Sequence, residues 1–305
     1  MESMKPHLEP QIADCRWCPR RCGADRTLRA GACGVAGLRV ARAALHRWEE
    51  PCISGTQGSG TVFFSGCSLQ CCYCQNHTIS ADAQGKDISV GRLAEILLEL
   101  QAAGAHNINL VNPTHVTPWI APAVGLARAQ GLHIPIVYNS SGYDTPEGLA
   151  LMRGIVDIYL PDLKYMDPER SRRYSAVADY FQVASAAILG MAAQVGPAHF
   201  DGQGLLARGL VVRHLVLPGG REDSLRIVEW LAENLDPKEI VLSLMCQYVP
   251  CHRSAQYPEI NRRLTSIEYD RVVKRAMELG FAHAYCQQRD SATAAYVPPF
   301  NLQGV

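Results

Sequence analysis

No run of about 18 apolar residues occurs in the 305-residue chain, so no membrane-spanning helix is expected. A charge excess is missing as well. Lys plus Arg and Asp plus Glu number 29 each, and without a basic surplus bulk nucleic-acid binding is not expected. Residues 1–10 are polar and contain proline, and they lack the apolar centre of a secretory signal. No short internal repeat is visible. These absences predict a cytoplasmic protein with no membrane partner. An apolar content of 48% supports a large core, enough for one α/β domain with a small appendage.

Cysteine is the residue that stands out, with twelve in the chain. In a cytoplasmic protein such a number points to metal ligands rather than disulfides. Cys67, Cys71 and Cys74 have the spacing C-x3-C-x2-C. Thiolates are soft ligands suited to iron–sulfur clusters, zinc or copper(I). Zinc would need a distant fourth ligand, whereas a 4Fe–4S cubane held by three cysteines keeps one iron open for a small molecule. Cys72 fits no spacing and is read as a bystander. A second group, Cys15, Cys18, Cys22 and Cys33, has the spacing C-x2-C-x3-C-x10-C. Four thiolates within 19 residues can close a second metal site, either zinc or an additional cluster.

Hydrophobic periodicity places these groups in a fold. Apolar, β-branched runs at 61–64, 106–111, 134–138, 156–160, 210–217 and 239–244 read as buried strands, with a short terminal strand at 283–286. Between them Ser89 caps a helix whose Leu93, Ile96, Leu97 and Leu100 share one face. Thr117-Pro118 and Thr145-Pro146 open two more helices, and an alanine-rich helix is expected over 184–195. A helix covers 225–235, and Thr265 with Glu268 forms a capping box for the last one. The expected fold class is α/β, a partial (β/α)6 TIM-like barrel with parallel strands and a small N-terminal cysteine-rich segment. The expected division is 1–50 for the cysteine segment and connector, 51–290 for the core barrel, and 291–305 for a loose tail. Within the connector, Glu49 and Glu50 sit near His46, Trp48 and Cys52, where they either line a site mouth or serve as ordinary packing and solvated charge.

The three-cysteine loop directly after the first barrel strand, with the aromatic Tyr73 before its last cysteine, resembles the radical S-adenosylmethionine superfamily. The chain is most similar to the group related to pyruvate formate-lyase activating enzyme, over residues 15–287, and to its members with an N-terminal cysteine segment. That resemblance implies a 4Fe–4S cluster and S-adenosylmethionine as cofactors. It implies reductive cleavage to a 5′-deoxyadenosyl radical and hydrogen abstraction from a substrate. A partner glycyl radical enzyme is one candidate substrate, a protein or peptide of another kind a second, and a reductant such as flavodoxin or ferredoxin is the expected electron donor.

The cofactor's groups need matching residues at the strand ends. Asn112 and Asp162 suit the amino group, Lys164 the carboxylate, Asn139, Ser140 and Ser141 the ribose or substrate, and Tyr73 the adenine. Asp162-Leu163-Lys164 matches the family's aspartate-x-lysine pair. Arg213, followed by four residues and Pro218-Gly219, matches its arginine. The family's glycine-glycine-glutamate is replaced by Val111-Asn112-Pro113. Asp162 and Lys164 can equally be a plain ion pair, and Arg213 a structural partner for a carboxylate. His77, His115 and His214 are read as packing residues, and Cys286 as core. Cys246 and Cys251 can join a metal site or merely pack. The rival class is a non-catalytic iron–sulfur or zinc protein, acting as electron carrier, scaffold or sensor.

Overall fold

A computed structural model describes residues 12–287 and 297–305 of the chain. The expectations for 1–10 and for 291–296 fall outside the described residues. The chain enters the sheet on β1 (Arg39–His46), turns through the one-turn helix α1 (Pro51–Ser54) and returns antiparallel on β2 (Ser59–Phe64). After α2 (His77–Ser80), the two-residue strand β3 (Lys86–Asp87) pairs with β1. Helix and strand then alternate: α3 (Val90–Ala102), β4 (Ile108–Val111), α4 (Thr117–Ala129), β5 (Ile136–Ser140), α5 (Pro146–Met152) and β6 (Ile158–Pro161). There follow α6 (Pro168–Ser175), α7 (Tyr180–Val195), the short β7 (His199–Phe200) and β8 (Leu206–Leu215). The last elements are α8 (Arg221–Asn234), β9 (Val241–Met245), α9 (Ser266–Glu278) and β10 (His283–Cys286).

Strands β2, β4, β5, β6, β8, β9 and β10 are parallel and neighbour one another in chain order. The sheet is open, with β10 at one edge and β3 at the other. This is the partial barrel expected, six crossovers ending on the short seventh strand. No single helix among the described residues is long and apolar enough to cross a membrane.

Local chemistry explains the helix starts. Ser89 accepts a hydrogen bond from Arg92 N at 3.0 Å, and Leu93, Ile96, Leu97 and Leu100 are all buried behind it. Burying each is worth roughly 1.5–3 kcal/mol. Thr145 caps α5 through Gly148 N at 3.1 Å, and the Thr265–Glu268 capping box is present. Thr117 is not a cap: Val116 takes that position and Thr117 is the first helical residue.

The two-residue period of the strands sorts their side chains. Ile108, Leu110, Ile136, Tyr138, Val212 and Leu242 join the main core under the helices. Val137, Leu160, Val211 and Val241 point to the inner face, where Cys52 and Ile53 of α1 pack on them. One step of two residues further along each strand the inner face turns polar, to Asn139, Asp162, Arg213 and Ser243. The barrel is thus plugged with apolar side chains at the strands' amino ends and lined with polar groups towards their carboxyl ends.

Several expectations are corrected. The connector expected at the end of 1–50 holds β1. In β1, two arginines and three alanines among eight residues hide a half-buried strand in an unremarkable composition. The sheet therefore begins at Arg39, not at residue 51. Residues 297–305 are not loose: Ala43 N donates to Gln303 O at 2.8 Å, Leu302 N to Ala41 O at 3.1 Å, and Phe300 sits edge-on to Phe63 at 5.4 Å. Helix α6 escaped notice because its sequence is nearly all polar, although Asp167 caps it and Pro168 opens it. Cys286 is exposed on β10, not core.

Candidate functional site

The loop 66–76 leaves the carboxyl end of β2 and is pinned from three sides. Cys67 N donates to Cys33 O at 3.0 Å, Cys72 N to Tyr174 O at 2.7 Å, and Arg253 N to Cys72 O at 2.8 Å. The side-chain amide of Asn112 donates to Gly66 O. Gly66 has φ +83°, and a Cβ there would lie 2.6 Å from Cys33 O, so only glycine fits against the N-terminal segment. Cys67, Cys71 and Cys74 remain half-buried, whereas Cys72 turns into the core, as a bystander should.

The thiols of Cys67 and Cys74 lie close enough to their neighbours in the loop to be shifted by them. Burial pushes Cys67 up, with Cys71 and Cys74 adding, and pushes Cys74 up to about 11, with Cys71 adding. The Lys164 ammonium opposes the rise at both. A hydroxyl line runs away from Cys71: Ser175 Oγ is 3.0 Å from its sulfur, Tyr165 Oη 2.9 Å from Ser175, and Tyr73 Oη 2.5 Å from Tyr165. Ser80 Oγ lies 3.2 Å from Cys74 Sγ. Among the described residues, no three His, Cys, Asp or Glu side chains meet closely enough to hold a single metal ion. A cubane cluster takes its thiolates at a wider spacing than one ion does, since each sulfur binds a different iron.

Beside this loop four charged side chains form a line of alternating sign. Lys164 Nζ is 2.5 Å from Asp162 Oδ2, and Asp162 Oδ1 accepts from Arg213 Nε at 3.0 Å. Arg213 then donates to Glu49 Oε1 at 2.9 Å and to Asn139 Oδ1 at 2.7 Å. Glu49 Oε2 accepts from Asn109 and Asn139 at 2.9 and 3.0 Å. Burial pushes the Asp162 carboxyl up, but Arg213 and Lys164 outweigh it and hold it below the usual range. Burial pushes Lys164 down, and Asp162 and Cys71 outweigh that, so the ammonium stays charged. Glu50, deeper in the barrel, is pushed up to about 7 by burial against the pull of Arg213. Ser141 Oγ and Asn109 Oδ1 are buried with no hydrogen-bond partner in the protein.

Asn139, Asp162, Lys164 and Arg213 are therefore gathered in one site, and Asn112 braces it. The Tyr73 ring is buried with the core, edge-on against Tyr248 at 5.8 Å. His115 bonds Ser65 O at 2.8 Å, and burial lowers it to about 3. His214 is held between Leu163 O and Ser224 Oγ, and burial lowers it to about 4. Both are packing residues, and His77 stacks on His252 at 4.6 Å. Cys251 lies 3.3 Å from Tyr73 O and Cys246 3.5 Å from Gln287 O.

The chain is 30% identical over 297 residues to the uncharacterized protein MJ0674 of Methanocaldococcus jannaschii, covering 92% of this chain and 80% of that protein. The chain belongs to that protein's family. No protein-family model matches it. Among solved structures, it is similar to SuiB of Streptococcus suis bound to the precursor peptide SuiA, with a TM-score of 0.48 and 10% identity. That match covers 73% of this chain and 46% of SuiB, under half its length. A second is a domain of pyruvate-formate lyase-activating enzyme from Bacteroides vulgatus, with a TM-score of 0.40 and 13% identity, covering 56% of this chain and 91% of the domain.

Within this MJ0674 family member, sequence reasoning left Glu49 between two readings and missed Asn109. Glu49 reaches Arg213 only because the β1–β2 hairpin folds its connection into the barrel. Asn109 carried a signal, an amide between Ile108 and Leu110 in an otherwise apolar strand.

Proposed function

We propose that the protein is a radical S-adenosylmethionine enzyme, with a 4Fe–4S cluster on Cys67, Cys71 and Cys74. The observation that carries this reading is the position of three soft sulfur donors on one loop beside the Lys164–Asp162–Arg213 line, with Lys164 close enough to act on Cys67 and Cys74. The donor set fits the cluster, and Ser141 Oγ offers a buried hydrogen-bonding atom that the protein leaves unused. The chemistry such a cluster supplies is one electron for the S-adenosylmethionine sulfonium, giving methionine and a 5′-deoxyadenosyl radical that takes a hydrogen atom from the substrate.

The chain's own residues bind and orient. Lys164 pairs with the cofactor carboxylate, Asp162 accepts from its ammonium, and Asn139 and Ser141 serve the ribose. Arg213 holds Asp162 and Asn139 in place and is itself held by Glu49. The apolar plug of α1 keeps water from entering at the amino end of the strands. A backbone glycine of a partner protein is the first substrate to try, with flavodoxin or ferredoxin as reductant.

The test is anaerobic loading with iron and sulfide, reduction, and measurement of 5′-deoxyadenosine. Formation of this product, together with a shift of the reduced cluster's magnetic resonance signal on adding S-adenosylmethionine, is expected. A loaded, reduced cluster whose signal ignores S-adenosylmethionine, with no product formed, would establish an electron carrier, scaffold or sensor instead.

A further inference from the structure

The N-terminal segment is held together by its cysteines. From Cys15 to Gly37 the chain has neither helix nor strand, only turns and bends. Yet Cys15, Cys18 and Cys33 are each 4% exposed, and the small cluster there is Cys15 and Trp17 with Cys22 and Leu151 against them. So few apolar side chains do not organise some two dozen irregular residues unaided, and segments of this kind are ordinarily fastened by disulfides or a metal. All four cysteines are free.

The backbone is arranged as a thiolate cradle. Cys15 N donates to Ala24 O and Gly23 N to Cys15 O, both at 3.1 Å, which sets Cys15 beside Cys22. Arg21 N closes a turn on Cys18 O at 2.9 Å, and Gly34 N closes one on Gly31 O at 3.0 Å, around Cys33. Cys33 Sγ lies 3.7 Å from Val35 O. Gly31 fits between two sulfurs, since a Cβ there would lie 3.3 Å from Cys22 Sγ and 3.6 Å from Cys33 Sγ. The buried Arg26 guanidinium, stacked over Trp119 at 4.6 Å, reaches within 3.9 Å of Cys15 Sγ. A buried cation beside buried sulfur is what a thiolate requires, and a neutral thiol does not.

We propose that Cys15, Cys18, Cys22 and Cys33 together ligate a soft metal centre, distinct from the barrel-mouth site. The shared chemistry is four thiolates. A single zinc ion, with sulfurs at about 2.3 Å, would draw these in, and an iron–sulfur cluster would take them wider. Because Cys33 O accepts from Cys67 N, the centre anchors the start of the barrel-mouth loop.

The test does not depend on radical chemistry. The full chain carrying Cys67→Ala, Cys71→Ala and Cys74→Ala is purified anaerobically and analysed for zinc, iron and sulfide. About one zinc per chain, or about four irons with about four sulfides, is expected. Adding Cys18→Ser and Cys22→Ser should remove it. A triple variant without bound metal, or metal that survives both serines, overturns the proposal. Should the serine variants misfold, cobalt(II) titrated into the metal-stripped triple variant decides. Intense thiolate-to-cobalt absorption supports four sulfur ligands, and weak absorption refutes them.

Discussion

Around Cys15, Cys22 and Cys33 the groups beside sulfur, Gly31 and Arg26, belong to the same short segment; around Cys71 and Cys74 they are the hydroxyls of Ser175 and Ser80, on other elements, with Lys164 nearby. A cysteine group that supplies its own surroundings can close locally and be judged by what it does for stability. One whose surroundings come from β6, α6 and β8 exists only when the barrel is assembled, and is judged by its chemistry. The first is built to be closed and the second to stay accessible.

The strongest way to break this comparison is to exchange the two readouts. Cys71→Ala is expected to reduce 5′-deoxyadenosine formation to background while leaving the stability of the metal-free chain within about 0.5 kcal/mol. Cys18→Ser is expected to destabilise the loaded chain by about 4 kcal/mol or more in urea. If both variants fail in the same readout, the division between the groups is wrong. Next in size, Arg213→Met leaves Glu49 buried without its cation and Asp162 with Lys164 alone, and should cost about 3–5 kcal/mol of stability. It should also lower S-adenosylmethionine affinity, measured by calorimetry, with no change in metal at Cys15–Cys33.

Glu50 sharpens the barrel side of the comparison through pH. Burial holds its folded carboxyl at about 7, whereas an unfolded glutamate titrates at about 4.3. Between these values the folded form keeps a proton that the unfolded form has lost. Glu50 therefore contributes stability at low pH that is lost as pH rises to about 7, on the order of 3 kcal/mol in all. Urea midpoints of wild type and Glu50→Gln across this range should converge at the acid end and diverge towards neutrality, the variant being the more stable. The smallest effect belongs to Ser175→Ala, which takes the hydroxyl from Cys71 and should speed iron loss to a chelator about tenfold.

Legibility in the sequence followed the range of the interactions. Spacing alone gave Cys67, Cys71 and Cys74, because their loop is local. Period-two strands placed Asn139, Asp162 and Arg213 at strand ends, because side-chain direction in a strand is fixed by count. A site role for Glu49 was only one of two readings, since its meaning depends on a hairpin whose β1 strand, rich in arginine and alanine, carries a weak signal. For Tyr73 the sequence shows an aromatic beside a ligand cysteine but not the buried Tyr165 hydroxyl that turns it inward.

The docking of residues 297–305 on β1 has a consequence for the protein's making. During synthesis the barrel strands emerge before their last partner does, so the Ala41–Ala43 edge waits uncovered on the ribosome with its peptide groups ready to pair. An uncovered edge is a template for a neighbouring nascent chain. Shortening the chain ahead of Phe300 would make that passing hazard permanent, and the product should collect as aggregate while every cysteine and strand-end residue is still encoded.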